Sequence, residues 1–214
     1  MPIASPFSEE GPTEKIRAEL AQKNPNTLAL RAGAIFNPKS DSGGELRMFY
    51  QSREILLQFP AFTGKFTDDG TSLSAFDTAL LTHYFANTDG AALAGQWIPF
   101  EQWANSQSKA QNFQQSTGDV LANTFGNNAE AFIAANQQIN GRQEFFANLA
   151  YSYQVLPRVS LLVVCWLGSE DSPAAYRILF DANTRHHLSI EFCALLGSHL
   201  TQQIVNASSA PNSP

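Results

Sequence analysis

The sequence contains little cysteine and no apolar run long enough to cross a membrane. Its two cysteines, Cys165 and Cys193, both lie within apolar stretches. They are expected to be small core residues rather than a disulfide, and two thiols cannot hold an iron–sulfur cluster of the usual four-thiolate kind. The apolar run over residues 159–167 is much shorter than the roughly 20 residues of a membrane span. No membrane association is therefore expected.

Basic residues are scarce, which argues against nucleic-acid binding. The formal net charge is −6, and the lysines and arginines form no cluster. A surface that binds nucleic acid usually concentrates positive charge on one face to neutralise phosphates. Residues 1–10 lack the basic start and apolar middle of a signal peptide, so a cytoplasmic location is expected.

The motifs of several common enzyme classes are also missing. The sequence has no Gly-x-Ser-x-Gly nucleophile elbow, and Cys165 lies in an apolar run, where a thiol stays protonated and unreactive. Gly43-Gly44 is an isolated pair without the further Gly or the Lys-Ser/Thr of a phosphate-binding loop. Nucleophilic, ATP-dependent and dinucleotide-dependent chemistry are therefore disfavoured.

The chain does provide ample material for one core. Hydrophobic residues make up 43% of its 214 residues, and aromatic residues make up 11%. A chain of this size and composition is expected to fold as one large domain. The polar, Pro- and Ser-containing ends predict a flexible arm over residues 1–11 and a flexible tail over residues 206–214, with the domain over residues 12–205.

The apolar run over residues 159–167 predicts the central strand of the sheet. Pro157 and Gly168 bound it, and its continuous apolar character indicates a strand that is covered on both faces. Further strands are predicted at residues 46–50, 54–59, 151–155 and 178–180. The first two are expected to form a hairpin around Gln51-Ser52-Arg53.

Apolar spacing and capping residues predict the helices. One helix spans residues 13–23 and ends at Asn24-Pro25. A second begins at Ser74, which is three residues before Asp77 as in a capping box. Residues 28–36 are either a strand or the end of a helical hairpin, since Ala, Leu and Arg favour helix.

The second half of the chain predicts further helices. Residues 105–140 are rich in Asn and Gln but keep apolar residues at helical spacing, with a cap at Asn127 and Glu130 and a closing Gly141. A last helix begins at Ser189. The predicted fold is a single α+β domain, with a mainly antiparallel sheet and helices packed against it.

The densest group of polar residues follows the last predicted strand. Asp181 comes directly after that strand, and His186, His187 and Glu191 follow. A carboxylate at a strand end and nearby imidazoles can bind a ligand or move protons. Alternatively, Asp181 accepts backbone amides in a turn, and the adjacent histidines point in different directions. A zinc site is disfavoured because the Ser189 cap begins the helix only after His187.

Other candidates are a histidine and several aromatic residues. His83 shares a helical stripe with bulky apolar residues, so it is expected to be buried or half-buried, as a core histidine or as a ligand or proton-transfer group. Trp97 and Trp103 flank Pro99 in an aromatic cluster that caps a core or lines a pocket. The candidate ligand-binding residues are His83, Trp97, Trp166, Arg177, Asp181, His186, His187 and Glu191.

Several motifs occur in a characteristic order. They are Leu80-Leu81-Thr82-His83-Tyr84-Phe85, Gly95-Gln96-Trp97-Ile98-Pro99-Phe100, Phe125-Gly126 with Phe132, Leu156-Pro157-Arg158-Val159, Cys165-Trp166, and Ile178-Leu179-Phe180-Asp181 with Leu188 and Glu191. In this order they resemble the uncharacterised domain-of-unknown-function family 3786, which occurs mainly in anaerobic bacteria and archaea. The resemblance covers about residues 13–203.

The resemblance implies a fold and a metabolic setting. Some similar proteins are joined to a cysteine-rich iron–sulfur segment, which implies a place near anaerobic redox or corrinoid metabolism. This sequence contains no such segment, and the acidic-Phe-Pro stretch of the family reads Glu170-Asp171-Ser172-Pro173 here. The family has no established activity, so the resemblance implies no reaction.

Three functions are compatible with these patterns. The first is a non-catalytic module that binds a small molecule or an unidentified cofactor in an aromatic-lined cavity near Trp97, Trp166 and the turn from Asp181 to His187, and presents it to a partner protein. The second is an enzyme in which His83, Asp181 or His187 moves protons. The third is a subunit whose apolar surface serves only assembly.

Overall fold

The computed structural model describes residues 12–40 and 43–209. Within these residues the helices are α1 (Pro12–Ala21), α2 (Pro25–Ala32), α3 (Ala75–Asn87), α4 (Gln107–Ser116), α5 (Gly118–Phe125), α6 (Ala129–Gln138) and α7 (Ile190–Ser209). The strands are β1 (Ile35–Ser40), β2 (Gly43–Tyr50), β3 (Arg53–Phe59), β4 (Thr63–Phe66), β5 (Trp97–Pro99), β6 (Arg142–Gln143), β7 (Leu149–Leu156), β8 (Val159–Trp166) and β9 (Ala175–Asp181). The predicted α+β class with antiparallel strands is confirmed, and the strands are shared between two sheets.

The chain forms two compact units. The first unit takes the chain up to Ala92 together with Gln154–Arg158 and Arg185–Leu188. The second takes Leu93–Tyr153, Val159–Thr184 and the chain from Ser189 onward. None of the helices in the described part of the chain has the length and apolar character that a membrane span requires.

The sheet of the first unit is a meander in the order β1-β2-β3-β4. The predicted hairpin is confirmed as β2 and β3, which pair from Gly44–Phe59 to Tyr50–Arg53. Alternate residues of β2 are buried, whereas Arg47 and Phe49 face outward. The sheet therefore has one face that packs on the core and one face that is exposed to solvent.

Residues 28–36, for which the sequence left two possibilities, contain parts of both a helix and a strand. Helix α2 ends at Ala32, Gly33 closes it in the left-handed conformation at φ 68°, and β1 starts at Ile35. Pro38 lies within β1, which tolerates it because the strand is at the edge of the sheet and needs no N–H there.

Two helix starts of the first unit have clear physical causes. Helix α1 ends at Ala21, two residues before the predicted end at Lys23. Asn24-Pro25 then starts α2, because the Asn24 side chain accepts the amides of Asn26 and Thr27 and Pro25 occupies the first turn. The predicted capping box of α3 is confirmed, since Ser74 Oγ accepts the Asp77 amide and Asp77 Oδ2 accepts the Ser74 amide, both at 3.1 Å.

The sheet of the second unit has the order β5-β9-β8-β7-β6. Strand β8 is the middle strand, and its residues from Val159 to Cys165 are all buried. The prediction of an interior strand covered on both faces is therefore confirmed. Strand β9 leads to Asp181 at its carboxyl end, as expected.

The helices of the second unit differ in detail from the prediction. The helical region is broken at Thr117 and Gly126 into α4, α5 and α6. Asn128, and not Asn127, caps α6, and Ile139 rather than Gly141 is its C-cap. Ser189 Oγ accepts the Phe192 amide at 3.4 Å, in agreement with the predicted helix start.

The predicted chain ends overlap the described residues only in part. Helix α7 continues to Ser209, past the predicted domain end at residue 205, although its buried stripe ends at Ile204. The predicted arm over residues 1–11 and the end of the predicted tail, residues 210–214, lie outside the described residues.

Candidate functional site

Asp181, the centre of the predicted site, acts as an anchor for the backbone. The residue ends β9 and is only 2% exposed. Its Oδ1 accepts hydrogen bonds from the amides of Ala94 and Asn183, both at 3.0 Å, and its Oδ2 accepts one from the amide of Gly95 at 2.8 Å. Both carboxylate oxygens are thus used within the second unit. This geometry matches the turn interpretation of Asp181.

The two tryptophans that were expected to share a cavity lie at opposite ends of β9. Trp97 pairs with Asp181, and Trp166 pairs with Ala175 at the start of the strand. At about 3.3 Å per residue, these positions are about 20 Å apart. Trp97 is half-buried and packs against the buried residues Ala150, Leu162, Val164 and Leu179. The structure therefore does not bring Trp97 and Trp166 together.

Arg177 and Glu191 both form ion pairs at the surface of the second unit. Arg177 Nη1 lies 2.7 Å from Glu101 Oε1, and Lys109 Nζ lies 3.3 Å from Glu191 Oε1. Pairs with this exposure contribute little to stability because water screens them. Neither pair brings its charge to the Asp181 carboxylate, which is occupied by backbone amides.

Glu191 also borders a cleft of about 370 Å³ between α4 and α7. The lining residues are Phe100, Lys109, Asn112, Phe113, Ser116, Ile190, Glu191, Ala194 and Leu195. The charged groups of this lining, Lys109 and Glu191, pair with each other. Lys109 donates a hydrogen bond to Glu191, so the charged groups of this cleft satisfy each other.

His187 is fully buried in the first unit and is hydrogen-bonded through one ring nitrogen. Its Nδ1 lies 2.8 Å from Thr88 Oγ1, and the Thr88 hydroxyl donates to the Arg31 carbonyl at 3.3 Å. The tautomer with the proton on Nδ1 satisfies both of these hydrogen bonds. Nε2 is buried and makes no hydrogen bond within the described residues, although the Ala91 backbone is near enough to favour a charged ring.

The neighbouring His186 points to a different environment. Its Nδ1 lies 2.6 Å from Asp89 Oδ2, and both side chains are about half exposed. Asp89 also accepts the Ala91 amide at 2.8 Å. This backbone bond, with the His186 contact, lowers the pKa of Asp89. The two histidines thus make separate contacts and form no shared ligand site.

The described part of the chain contains no cluster of metal ligands and no exposed thiol. No group of three or more His, Cys, Asp or Glu side chains is arranged there to hold a metal ion. Cys165 and Cys193 are buried free thiols, and burial raises the pKa of Cys165. Both therefore act as core residues, as expected.

The buried imidazole of His187 predicts a loss of stability in mild acid. Burial lowers the pKa of His187 below its usual 6.5, and it also lowers that of His83, which is half-buried as predicted. Each ring binds its proton at higher pH in the unfolded chain than in the fold. The stability from each neutral ring is therefore present above pH 6.5 and is lost as the pH falls. The His187 ring should lower the free energy of unfolding by at most about 1.4 kcal/mol per pH unit, and the half-buried His83 ring should lower it by less because water screens it.

Urea unfolding between pH values of about 7.5 and 5 measures this slope. His187→Gln should remove the part of this pH dependence that comes from His187, and His83→Gln should remove the part that comes from His83. Each variant therefore serves as the control for the other. An unchanged slope in His187→Gln would contradict a neutral buried ring.

A second cleft, of about 360 Å³, lies in the first unit beside the tip of the β2–β3 hairpin. We call it the hairpin cleft. Its lining consists of Gly33, Ile35, Arg47, Met48, Phe49, Ser52, Glu54, Gln154, Leu156 and Pro157. None of the candidate residues named from the sequence belongs to it. Its size is at the lower end of the range for small-molecule sites.

The turn at the tip of this hairpin adopts an unusual backbone conformation. Gln51 and Ser52 have φ angles of 49° and 62°, so both are left-handed. Two-residue hairpin turns of this kind favour Asn, Asp and Gly, because other residues adopt the conformation at a cost. The Gln51 amide donates to the Val155 carbonyl at 3.0 Å, which holds the turn against residues Gln154–Arg158.

A chain of side-chain hydrogen bonds also fixes the turn. Gln51 Nε2 donates to the Tyr50 hydroxyl at 2.9 Å, and that hydroxyl donates to Asp77 Oδ1 at 2.7 Å. Burial, with the nearby Asp77 carboxylate, raises the pKa of Tyr50, so its hydroxyl keeps its proton. Asp77 is itself fixed in the capping box of α3. The cleft wall at Ser52 is therefore preorganised.

The opposite wall depends on a glycine. A Cβ atom at Gly33 would lie 2.7 Å from Pro157 Cβ, and Gly33 has a φ of 68°. Beside it, Arg158 Nε and Nη2 donate to the carbonyls of Arg31 and Leu30, at 2.6 and 3.3 Å. These bonds tie the end of α2 to residues Gln154–Arg158. Glycine at position 33 thus permits the close approach that shapes this wall.

The charged groups of the hairpin cleft are a guanidinium and a carboxylate. Arg47 Nη1 lies 3.7 Å from Glu54 Oε1, beyond hydrogen-bond distance. Glu54 Oε2 accepts a hydrogen bond from the Thr67 hydroxyl at 3.1 Å, which fixes the carboxylate. Among the described residues, Arg47 makes no side-chain hydrogen bond. Glu54 thus places a negative charge near a guanidinium whose N–H donors make no hydrogen bond among the described residues.

One feature of this cleft was visible in the sequence. The tight connection at Gln51-Ser52-Arg53 is predicted by the sequence, and its left-handed residues are neither Gly nor Asn. A turn that breaks the local residue preference often marks a functional site. The approach of Gly33 and Pro157 had no such signal, because these residues are distant in the chain.

Comparison with known proteins assigns the chain to a family but does not indicate an activity. The family model described as "Domain of unknown function (DUF3786)" matches residues 24–203. No curated protein and no solved structure matches the chain significantly. The match covers most of the chain and agrees with the motif order noted in the sequence. The chain therefore belongs to the family described as Domain of unknown function (DUF3786).

Proposed function

We propose that the protein binds a small organic anion with an apolar body in the hairpin cleft. The observation that carries this proposal is the Arg47 guanidinium, which lines the cleft and makes no hydrogen bond within the described residues. A guanidinium matches the planar geometry of a carboxylate and binds it through two parallel hydrogen bonds. The ion pair with Glu54 is too long for a hydrogen bond, so it leaves the N–H donors of Arg47 unused.

The walls of the cleft fit the apolar part of such a ligand. Ile35 and Phe49 are 64% and 61% exposed, which is unusual for large apolar side chains on a sheet face. Leu156 and Pro157 face the same cleft. A ligand that covers these side chains gains about 25 cal/mol for each Å² of apolar surface removed from water. Apolar contact would thus supply affinity, and Arg47 would supply orientation.

The cleft is better suited to binding than to catalysis. No group within its lining is a histidine or a cysteine. Its carboxylate, Glu54, is already engaged by Arg47 and Thr67. The rigid turn at Gln51 and Ser52 keeps the empty cleft close to its bound shape, so binding costs little ordering entropy. A binding module is therefore the function that this geometry supports best.

A thermal-shift and calorimetry screen tests the proposal. Aliphatic and aromatic carboxylates are compared with the matched primary amides, which keep the shape and lose the charge. A carboxylate at about 100 times its dissociation constant should stabilise the fold by about 2.7 kcal/mol. The amide should stabilise it much less. Arg47→Gln should remove the preference for the carboxylate.

Lys65→Gln is the matched control for Arg47→Gln. Lys65 lies on β4 opposite Leu56 in the same sheet, is exposed, and does not line the cleft. Its loss should leave carboxylate binding unchanged. If no carboxylate stabilises the wild type, or if Arg47→Gln and wild type bind with equal affinity, the proposed ligand class is wrong.

A further inference from the structure

The second unit exposes four large apolar side chains on two adjacent loops. Phe145 is fully exposed, Phe146 is 40% exposed, and Trp166 and Leu167 are 36% and 38% exposed. Phe145 and Phe146 lie in the loop between β6 and β7, and Trp166 and Leu167 lie at the end of β8. We call these four residues the loop patch. Single exposed apolar residues are common, but a contiguous group marks an interaction surface.

Hydrogen bonds hold the two loops of the patch together. The Leu167 amide donates to Asn148 Oδ1 at 3.0 Å, which joins the two loops. The Gly168 amide donates to Asn127 Oδ1 at 2.6 Å, which joins the second loop to the connection between α5 and α6. Within the first loop, the Phe146 amide donates to the Glu144 carbonyl at 3.1 Å. The patch is thus presented by fixed backbone, so its side chains are exposed without loss of loop structure.

The charges beside the patch indicate the chemistry of its partner. Glu170 and Asp171 follow Leu167 in the β8–β9 connection, are exposed, and form no ion pair within the described residues. Glu144, by contrast, is neutralised by Arg142, whose Nη2 lies 2.6 Å from its Oε1. The patch is therefore apolar with an uncompensated acidic border. A complementary surface has an apolar pocket bordered by Lys or Arg.

These charges disfavour two other occupants. An anionic membrane surface would repel Glu170 and Asp171, although exposed Trp and Phe suit an interface. A second copy of the chain, related by a two-fold axis, would bring the same acids against each other. We propose that the loop patch docks a partner protein through an apolar pocket with a basic border. Four apolar side chains form a small interface, which suits a transient complex with the partner protein rather than a permanent one.

Selection from a random peptide library displayed on phage tests this proposal. Peptides are selected on the full-length wild type and counter-selected on Phe145→Ser, which should fold normally because Phe145 is fully exposed. The recovered peptides should combine aromatic or aliphatic residues with Lys or Arg. Synthetic copies should bind the wild type about tenfold more tightly than Phe145→Ser, a difference of about 1.4 kcal/mol.

Charge reversal and a second apolar variant complete the test. Glu170→Lys with Asp171→Lys should weaken the same peptides, and added salt should weaken wild-type binding. Leu93→Ser, an exposed leucine of the second unit outside the patch, should bind like wild type.

Four results would overturn the proposal. They are equal binding to Phe145→Ser, recovery of acidic peptides, Phe145-dependent binding to phosphatidylcholine–phosphatidylserine vesicles, and Phe145-dependent dimers in light scattering.

Discussion

Asp181→Ala is expected to lower the free energy of unfolding by about 2–4 kcal/mol. The substitution removes the acceptors of the Ala94, Gly95 and Asn183 amides, which the carboxylate now satisfies at 2.8–3.0 Å. Partly buried amides without a partner carry a desolvation cost that the unfolded chain does not have. Urea unfolding followed by far-ultraviolet circular dichroism measures the difference.

Asp181→Asn and Asp171→Ala separate the causes of this loss. The asparagine keeps one oxygen, which can still accept two of the amides, so its loss should be smaller than that of alanine. Asp171 is exposed and binds no backbone amide among the described residues, so Asp171→Ala should stay within about 0.5 kcal/mol of wild type. A loss below about 0.5 kcal/mol in Asp181→Ala would show that the carboxylate is free for another role.

Leu162→Ala should cost about 3 kcal/mol. Leu162 lies in the middle strand β8, is fully buried, and packs with Ala150, Val164 and Leu179. Truncation removes apolar contacts and leaves a cavity, because neighbours that are held by a sheet on both sides relax only in part. Urea unfolding again measures the loss. The free energy of unfolding should fall with urea concentration at the same slope in the variant and the wild type.

A local signal distinguishes this effect from general damage. Trp97 packs against the same cluster, so its fluorescence should change in Leu162→Ala. Leu93→Ala, at 38% exposure in the same unit, should lose less than about 0.5 kcal/mol. If Leu162→Ala and Leu93→Ala are equally stable, β8 does not form the interior of the core.

The sequence predicted those parts of the fold that depend on local pattern. The continuous apolar run of β8 and the alternation in β2 each reflect what lies on the two faces of a strand, so they could be recognised without a structure. The capping box at Ser74 is likewise local. The breaks between α4, α5 and α6 were missed because Thr117 and Gly126 interrupt helices that share one apolar pattern.

The site was harder to predict for a different reason. The sequence placed Asp181 correctly at the end of a buried strand, and the turn alternative described its contacts. Its suggestion that Trp97 and Trp166 share a cavity failed because β9 separates them by its whole length. The hairpin cleft joins residues near positions 33, 50 and 155, and no single segment carries that pattern.

The close packing of Gly33 against Pro157 means that a substitution at one of these positions constrains the other. A Cβ atom at position 33 would lie 2.7 Å from Pro157 Cβ. A lineage that acquires alanine or a larger residue there must also remodel position 157 or widen the gap between the end of α2 and the segment after β7. Paired changes at 33 and 157 among relatives would thus record changes in the width of the hairpin cleft.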